Sequence, residues 1–254
     1  MVFSDATQFF WQGISPYTTE FVEAHGRYFL YSPVFTVLFA PFAYLPAWLG
    51  PFAWNLFNYS LFFVAIFTLP QQFTQQQKCR MFLFLLLILG QSLLSFQYNI
   101  TVAYLFLFAY TLLEKDRGFL AVLLIMISGC TKVYGIFELA LLLCYPHVWR
   151  NFGYAVAMGI VLLTLPLIKI APADLLPYYE EWCHSLAVHQ SAGAYDSFFY
   201  ARPIAAWTLP HFRALQIGML GLLTLLFLGN FHKWSSFAFR AKLWAFSWLG
   251  SITE

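Results

Sequence analysis

The sequence predicts an all-α protein, a polytopic bundle of membrane-crossing helices joined by short hairpins. Three observations carry that expectation. Only 9% of the 254 residues are charged, against 61% hydrophobic and 21% aromatic, whereas a soluble domain has roughly a quarter charged residues. The charges are also absent over long stretches: 50 residues separate Arg27 from Lys78, and 81–113 is a second uncharged run of 33. As helix, either run is longer than one crossing of a roughly 30 Å hydrocarbon core, so each must fold back on itself. Finally, the apolar excess excludes disorder, and 4 widely spaced Cys do not make a disulfide scaffold. The net charge of +2 points to no partner, and the basic residues are too sparse for a nucleic-acid partner to be expected.

In chain order, 1–30 is expected as an external loop, polar and aromatic. Segment 31–171 holds helices and hairpins, 172–207 a long external loop, and 208–254 the C-terminal helices. Lys and Arg collect in cytoplasmic loops. Lys78 with Arg80, Lys115 with Arg117, Arg150, and Lys233 with Arg240 and Lys242 account for 8 of the 13 basic residues. With these four inside, 81–97 leaves and 99–113 returns, 118–131 leaves and 133–148 returns, 151–171 leaves and 208–229 returns. Of the 11 acids, 7 then fall in the two external segments. Segments 31–50 and 51–70 stay ambiguous, because Pro33, Pro41, Pro46 and Pro51 interrupt them. The run 243–254 is about half a crossing, and the chain is expected to be a piece of a longer protein.

The hairpin apices carry polar residues, Gln97 and Asn99 in one, Thr131 and Lys132 in the other. Polar groups at membrane depth face protein or a wet cavity, so both apices are expected to point into one cavity open to the external side. Lys132 has two readings: a lysine snorkelling to the headgroups, or an ammonium holding a phosphate. Arg202 clamps the same phosphate or pairs with Asp196 in its loop. Asp5, Glu180 and Glu181 are each a general base or a solvated loop acid. The stretch YYEEW (Tyr178, Tyr179, Glu180, Glu181, Trp182) reads as an interfacial belt or as a sugar site, with ring faces on aromatics and hydroxyls on acids. His184 and His189 beside Glu181 have too loose a spacing for a metal site, and no metal or cofactor is expected. Soluble-enzyme motifs such as GxGxxG, HExxH and GxSxG do not occur.

The order of short motifs is more specific than any one of them: GISPY at 13–17, YFLYSPVFTVLFAPFAYLP at 28–46, WNLFN at 54–58, QYN at 97–99, TKVYG at 131–135, VWR at 148–150 and PYYEEW at 177–182. Over about residues 10–185 this order resembles glycosyltransferase family 87 of the GT-C superfamily, the polyprenol-dependent membrane mannosyl- and hexosyltransferases. The resemblance implies transfer of a hexose from a polyprenyl-phosphate sugar to an acceptor hydroxyl at the extracytoplasmic face of a bacterial inner membrane, the acceptor being a glycan or glycolipid. It implies a donor phosphate held by Lys132, Arg202, Gln97 and Asn99, and sugar contacts from Tyr178, Tyr179, Glu180, Glu181, Trp182 and His184. Phe96 departs from the family's Gly before Gln97. The resemblance implies a catalytic Asp in the loop after a first transmembrane helix, expected at or just before Met1; Asp5 is the nearest carboxylate. Two other readings stay open, a carrier or flippase for a lipid-linked or polar solute and an inactive fragment of the transferase.

Overall fold

At membrane depth no water satisfies a backbone N–H, so long Leu-, Phe- and Ala-rich runs must close their hydrogen bonds within the segment. A computed structural model describes residues 2–94, 96–191 and 227–243, which form helices joined by turns and short irregular segments, with no strand among them. In order come α1 (Val2–Gln12), α2 (Thr19–His25), α3 (Pro33–Leu38), α4 (Ala40–Ala43), α5 (Leu49–Phe67), α6 (Gln75–Leu94), α7 (Asn99–Glu114) and α8 (Gly118–Thr131). A 3-10 stretch (Val133–Cys144), α9 (Val148–Leu163) and α10 (Leu175–Ser191) follow.

Two segments expected as loops are helical. Phe3, Ala6, Thr7 and Phe10 are buried along one face of α1, and Tyr178, Trp182 and Ser185 along one face of α10. Both sets keep the i, i+3/i+4, i+7 spacing of an amphipathic helix. The polar residues that suggested loops occupy the opposite faces. Within the proline-broken region, 31–50 makes only the short α3 and α4, each with Pro in its first turn. Segment 51–70 contributes α5, 19 residues long and apolar enough to cross a membrane. Val148–Ile168 is a second such length, at 21 residues, while Asn99–Glu114 and Gly118–Thr131 are shorter apolar helices. Polar ends set the helix limits. Thr74 and Gln77 exchange side-chain to backbone hydrogen bonds at 2.8 and 3.2 Å ahead of α6, a capping box. The Lys78 ammonium donates to the Leu69 and Phe67 carbonyls at 2.6 and 3.2 Å, satisfying the end of α5.

Helix α7 is the axis of the bundle, buried nearly all round between α5 and α8. Small residues permit that closeness, since lipid supplies little hydrophobic drive between helices and packing must do the work. Ala103, Ala109 and Ala121 are fully buried, and a Cβ at Gly159 of α9 would meet Met126 Cε of α8 at 3.1 Å. Outer faces are greasy instead: Leu87 is 82% exposed and Trp149 88%, a pattern that water penalises and lipid does not.

Because α7 is 16 residues long, its ends lie about 24 Å apart. At its C-terminal end the basic segments gather. Arg240 holds Glu114 through two nitrogens, at 2.7 and 2.9 Å, and lies 4.8 Å above the Tyr145 ring. The Tyr145 hydroxyl donates to the same carboxylate at 2.6 Å. Phe73, beside the Lys78 turn, packs on Phe237 at 5.5 Å. Replacing Glu114 by Ala leaves Arg240 half-buried without its counter-ion, and we expect a loss of about 2 kcal/mol, below the value for a fully dry pair. A lowered thermal midpoint in detergent is the readout; an unchanged midpoint would show the clasp to be energetically neutral.

Candidate functional site: the meeting of the hairpin apices

The opposite end of α7 begins with Gln97, Tyr98 and Asn99, and α8 ends there with Thr131 and Lys132. The two apices touch directly. Lys132 Nζ donates to Asn99 Oδ1 at 2.7 Å, and Asn99 Nδ2 donates to Gln97 Oε1 at 3.0 Å. Thr131 Oγ1 lies 2.9 Å from the Tyr98 hydroxyl. Helix α8 stops at Lys132, whose backbone is extended (φ −134, ψ 121), and the chain turns back at once. Gly135 allows this: a Cβ there would come within 2.5 Å of Gly129 N and Ser128 C. Ser128 further donates to Glu138 at 3.1 Å, fastening the returning 3-10 stretch against α8. A Gly135→Ala substitution must therefore push the turn open and shift the ammonium, at about 1–3 kcal/mol. Lower yield of folded protein is the expected measurement, and normal yield with normal activity would mean the turn absorbs the methyl group.

Short motifs scattered over 170 residues converge here. Tyr17 of GISPY donates its hydroxyl to the Tyr31 carbonyl at 2.7 Å. Ser15 of the same motif donates to the Glu181 carboxylate, and Trp182 Nε1 donates to the Leu30 carbonyl at 3.0 Å. Ser32 donates to the Cys130 carbonyl, while its own N–H reaches the Thr131 carbonyl at 3.2 Å. From WNLFN, Trp54 stacks 6.3 Å from Tyr98, and Asn58 accepts from Thr101. Tyr31 and Phe35 set their rings 5.7 and 5.3 Å from Tyr98. Phe3 of α1 packs on Tyr31 and Phe35 at 5.0 and 4.9 Å. The result is an aromatic wall of one buried cluster, in which edge-to-face contacts predominate, around a small polar centre.

The remaining sequence candidates fall around that wall. Asp5 Oδ2 lies 3.7 Å from His25 Nε2. The other ring nitrogen, Nδ1, sits 2.9 Å from the Phe21 carbonyl, and the ring stacks on Phe21 at 4.3 Å. With Nδ1 held at that carbonyl, Nε2 faces the Asp5 carboxylate. Tyr179 donates to the Leu163 carbonyl at 3.0 Å. Tyr178 packs edge-on against Phe10 at 6.1 Å; its buried hydroxyl has no hydrogen-bond partner among the described residues. Burial, then Glu181 and Asp174, push that phenol up to about 12, so it stays a neutral donor. Tyr17 is pushed well up for the same leading reason. Glu180 and His184 are exposed on α10, and among the described residues no group of three His, Cys, Asp or Glu is placed to hold a metal. Arg202 and Asp196 lie outside the described residues. His25, Tyr98 and Ser15 were missed by residue-level reasoning: two lie inside quoted motifs, QYN and GISPY, and His25 follows Asp5 by a full helix and carries no local signal.

Fold and site together define a helical membrane protein with a polar, aromatic-walled centre at one end of its bundle. The chain belongs to glycosyltransferase family 87, whose profile matches residues 29–252, and it is therefore a membrane glycosyltransferase. No curated protein and no solved structure matches it.

Proposed function

We propose that this glycosyltransferase transfers a hexose from a polyprenyl-phosphate sugar to a glycan or glycolipid hydroxyl, at the extracytoplasmic face of a bacterial inner membrane that it crosses several times. The observation that carries the reading is the Lys132–Asn99 contact of 2.7 Å, which ties two hairpin apices into one cationic, hydrogen-bonding centre. In the reaction the acceptor oxygen bonds to the anomeric carbon, the bond from that carbon to the phosphate oxygen breaks, and the acceptor proton goes to a carboxylate. Polyprenyl phosphate leaves as a phosphate monoester. Charge grows on the leaving oxygens, where a fixed ammonium is worth most. Lys132 supplies it, with Gln97 and Asn99 orienting the phosphate and Arg202 adding a second cation. Asp5 takes the proton, held by His25. Tyr178, Tyr179 and Trp182 offer ring faces to the sugar, and Glu180, Glu181 and His184 bind its hydroxyls or those of the acceptor. A donor dissolved in the bilayer needs no nucleotide-binding domain, which agrees with described residues that form helices and no strand.

The test is to incubate proteoliposomes of the full chain with polyprenyl-phosphate hexose labelled in the sugar, adding a membrane extract as acceptor source. Label in a new glycosidic linkage, with release of polyprenyl phosphate, is the expected result. Movement of the intact donor across the bilayer with no new linkage would overturn the reading in favour of a carrier.

A further inference from the structure

At the basic end, far from the apices, a groove of about 310 Å³ opens where α8 and α9 begin. It is lined by Asp116, Arg117, Phe119, Leu120, Arg150 and Tyr154. The two helix starts are held side by side, because α8 begins at Gly118 and a Cβ there would meet Asn151 Cγ of α9 at 3.1 Å. Neither helix has a side-chain N-cap, so the first-turn N–H groups of both lack a capping side chain. Arg117 and Arg150 make no ion pair or side-chain hydrogen bond among the described residues. One wall is apolar and outward-facing: Phe119 is exposed and sets its ring 5.4 Å from Tyr154, and Leu120 beside it is exposed too.

We propose that this groove is a headgroup site for an anionic phospholipid of the surrounding leaflet. A phosphodiester placed between the two guanidinium groups gains charge-assisted hydrogen bonds that Asp116 offsets only in part. Its acyl chains run along Phe119, Leu120 and the outer face of α9, which already faces lipid. A free inorganic anion would use the arginines and leave that apolar wall without a partner, so charge and greasiness side by side favour the lipid. Basic pockets between transmembrane helices are suited to such headgroups.

The experiment uses the full chain in detergent, with binding of a fluorescent phosphatidylglycerol competed by unlabelled phosphatidylglycerol, phosphatidylcholine or inorganic phosphate. Phosphatidylglycerol should compete well and the other two poorly. In an Arg117→Gln, Arg150→Gln variant the affinity should fall about fivefold per arginine, roughly 25-fold in all. A Lys233→Gln, Lys242→Gln variant removes the same charge from the same end outside the groove and should bind as the parent does. Equal loss in both variants would reveal diffuse attraction, and equal competition by inorganic phosphate would reveal a free-anion site; either overturns the proposal. Should the double arginine variant fail to fold, the two single variants carry the same comparison, and unchanged affinity in both overturns it.

Discussion

Lys132→Ala should cut hexose transfer by about 10²–10³-fold, the size of effect seen when one preorganised group facing a developing oxyanion is removed. The residue terminates α8 in extended backbone, and its ammonium is aimed at Asn99 across the hairpin junction. In the proposed reaction that cation meets the leaving phosphate where water is scarce, so its charge is weakly screened. Truncation removes the charge and its bond to Asn99, but neither the Gly129–Gly135 backbone approach nor the Ser128–Glu138 side-chain hydrogen bond that closes the turn. Membrane levels and thermal midpoint should therefore match the parent. Lys132→Arg keeps the charge in a different geometry and should recover part of the rate. Full activity in the Ala variant, measured as labelled product per folded protein, would remove Lys132 from the site.

Asp5→Asn should lower transfer by about 10²–10⁴-fold, the range for a positioned general base. The amide keeps the shape of the side chain but cannot accept the acceptor's proton. The carboxylate sits near His25 Nε2, whose partner nitrogen is turned to the Phe21 carbonyl. The loss should therefore fall on turnover more than on donor binding. His25→Ala, which removes that neighbour but keeps the carboxylate, should cost less than Asp5→Asn. Equal rates for Asp5→Asn and the parent would place the proton acceptor elsewhere in the chain.

The first prediction concerns a centre whose parts were legible in the sequence but whose assembly was not. Gln97, Asn99, Thr131 and Lys132 stood out as polar residues at the turning points of uncharged runs, and their placement at hairpin ends follows from helix length against bilayer thickness. That Lys132 would meet Asn99, 33 residues earlier, is a matter of which faces of α7 and α8 pack together. Periodicity says that a helix exists and leaves its rotation against a neighbour open. The aromatic stretch 178–182 shows the converse. Read for composition it suggested a loop, while the burial of Tyr178, Trp182 and Ser185 on one side makes it a helix locked to 13–17 and 28–32 by hydrogen bonds across more than 150 residues.

The amino-acid string alone determined the solvent this chain lives in, the all-helical architecture that solvent demands, the turning points of its hairpins and, through the order of its motifs, its family. Those are consequences of composition and of spacing along the chain, where the backbone's need for internal hydrogen bonds leaves few choices. Three-dimensional packing decided the Lys132–Asn99 contact, the Asp5–His25 pair, the Glu114–Arg240 clasp and the groove between Arg117 and Arg150. Each joins residues whose separation in sequence carries no period, so each is set only when small side chains at helix crossings fix how deeply, and at what rotation, neighbouring helices dock.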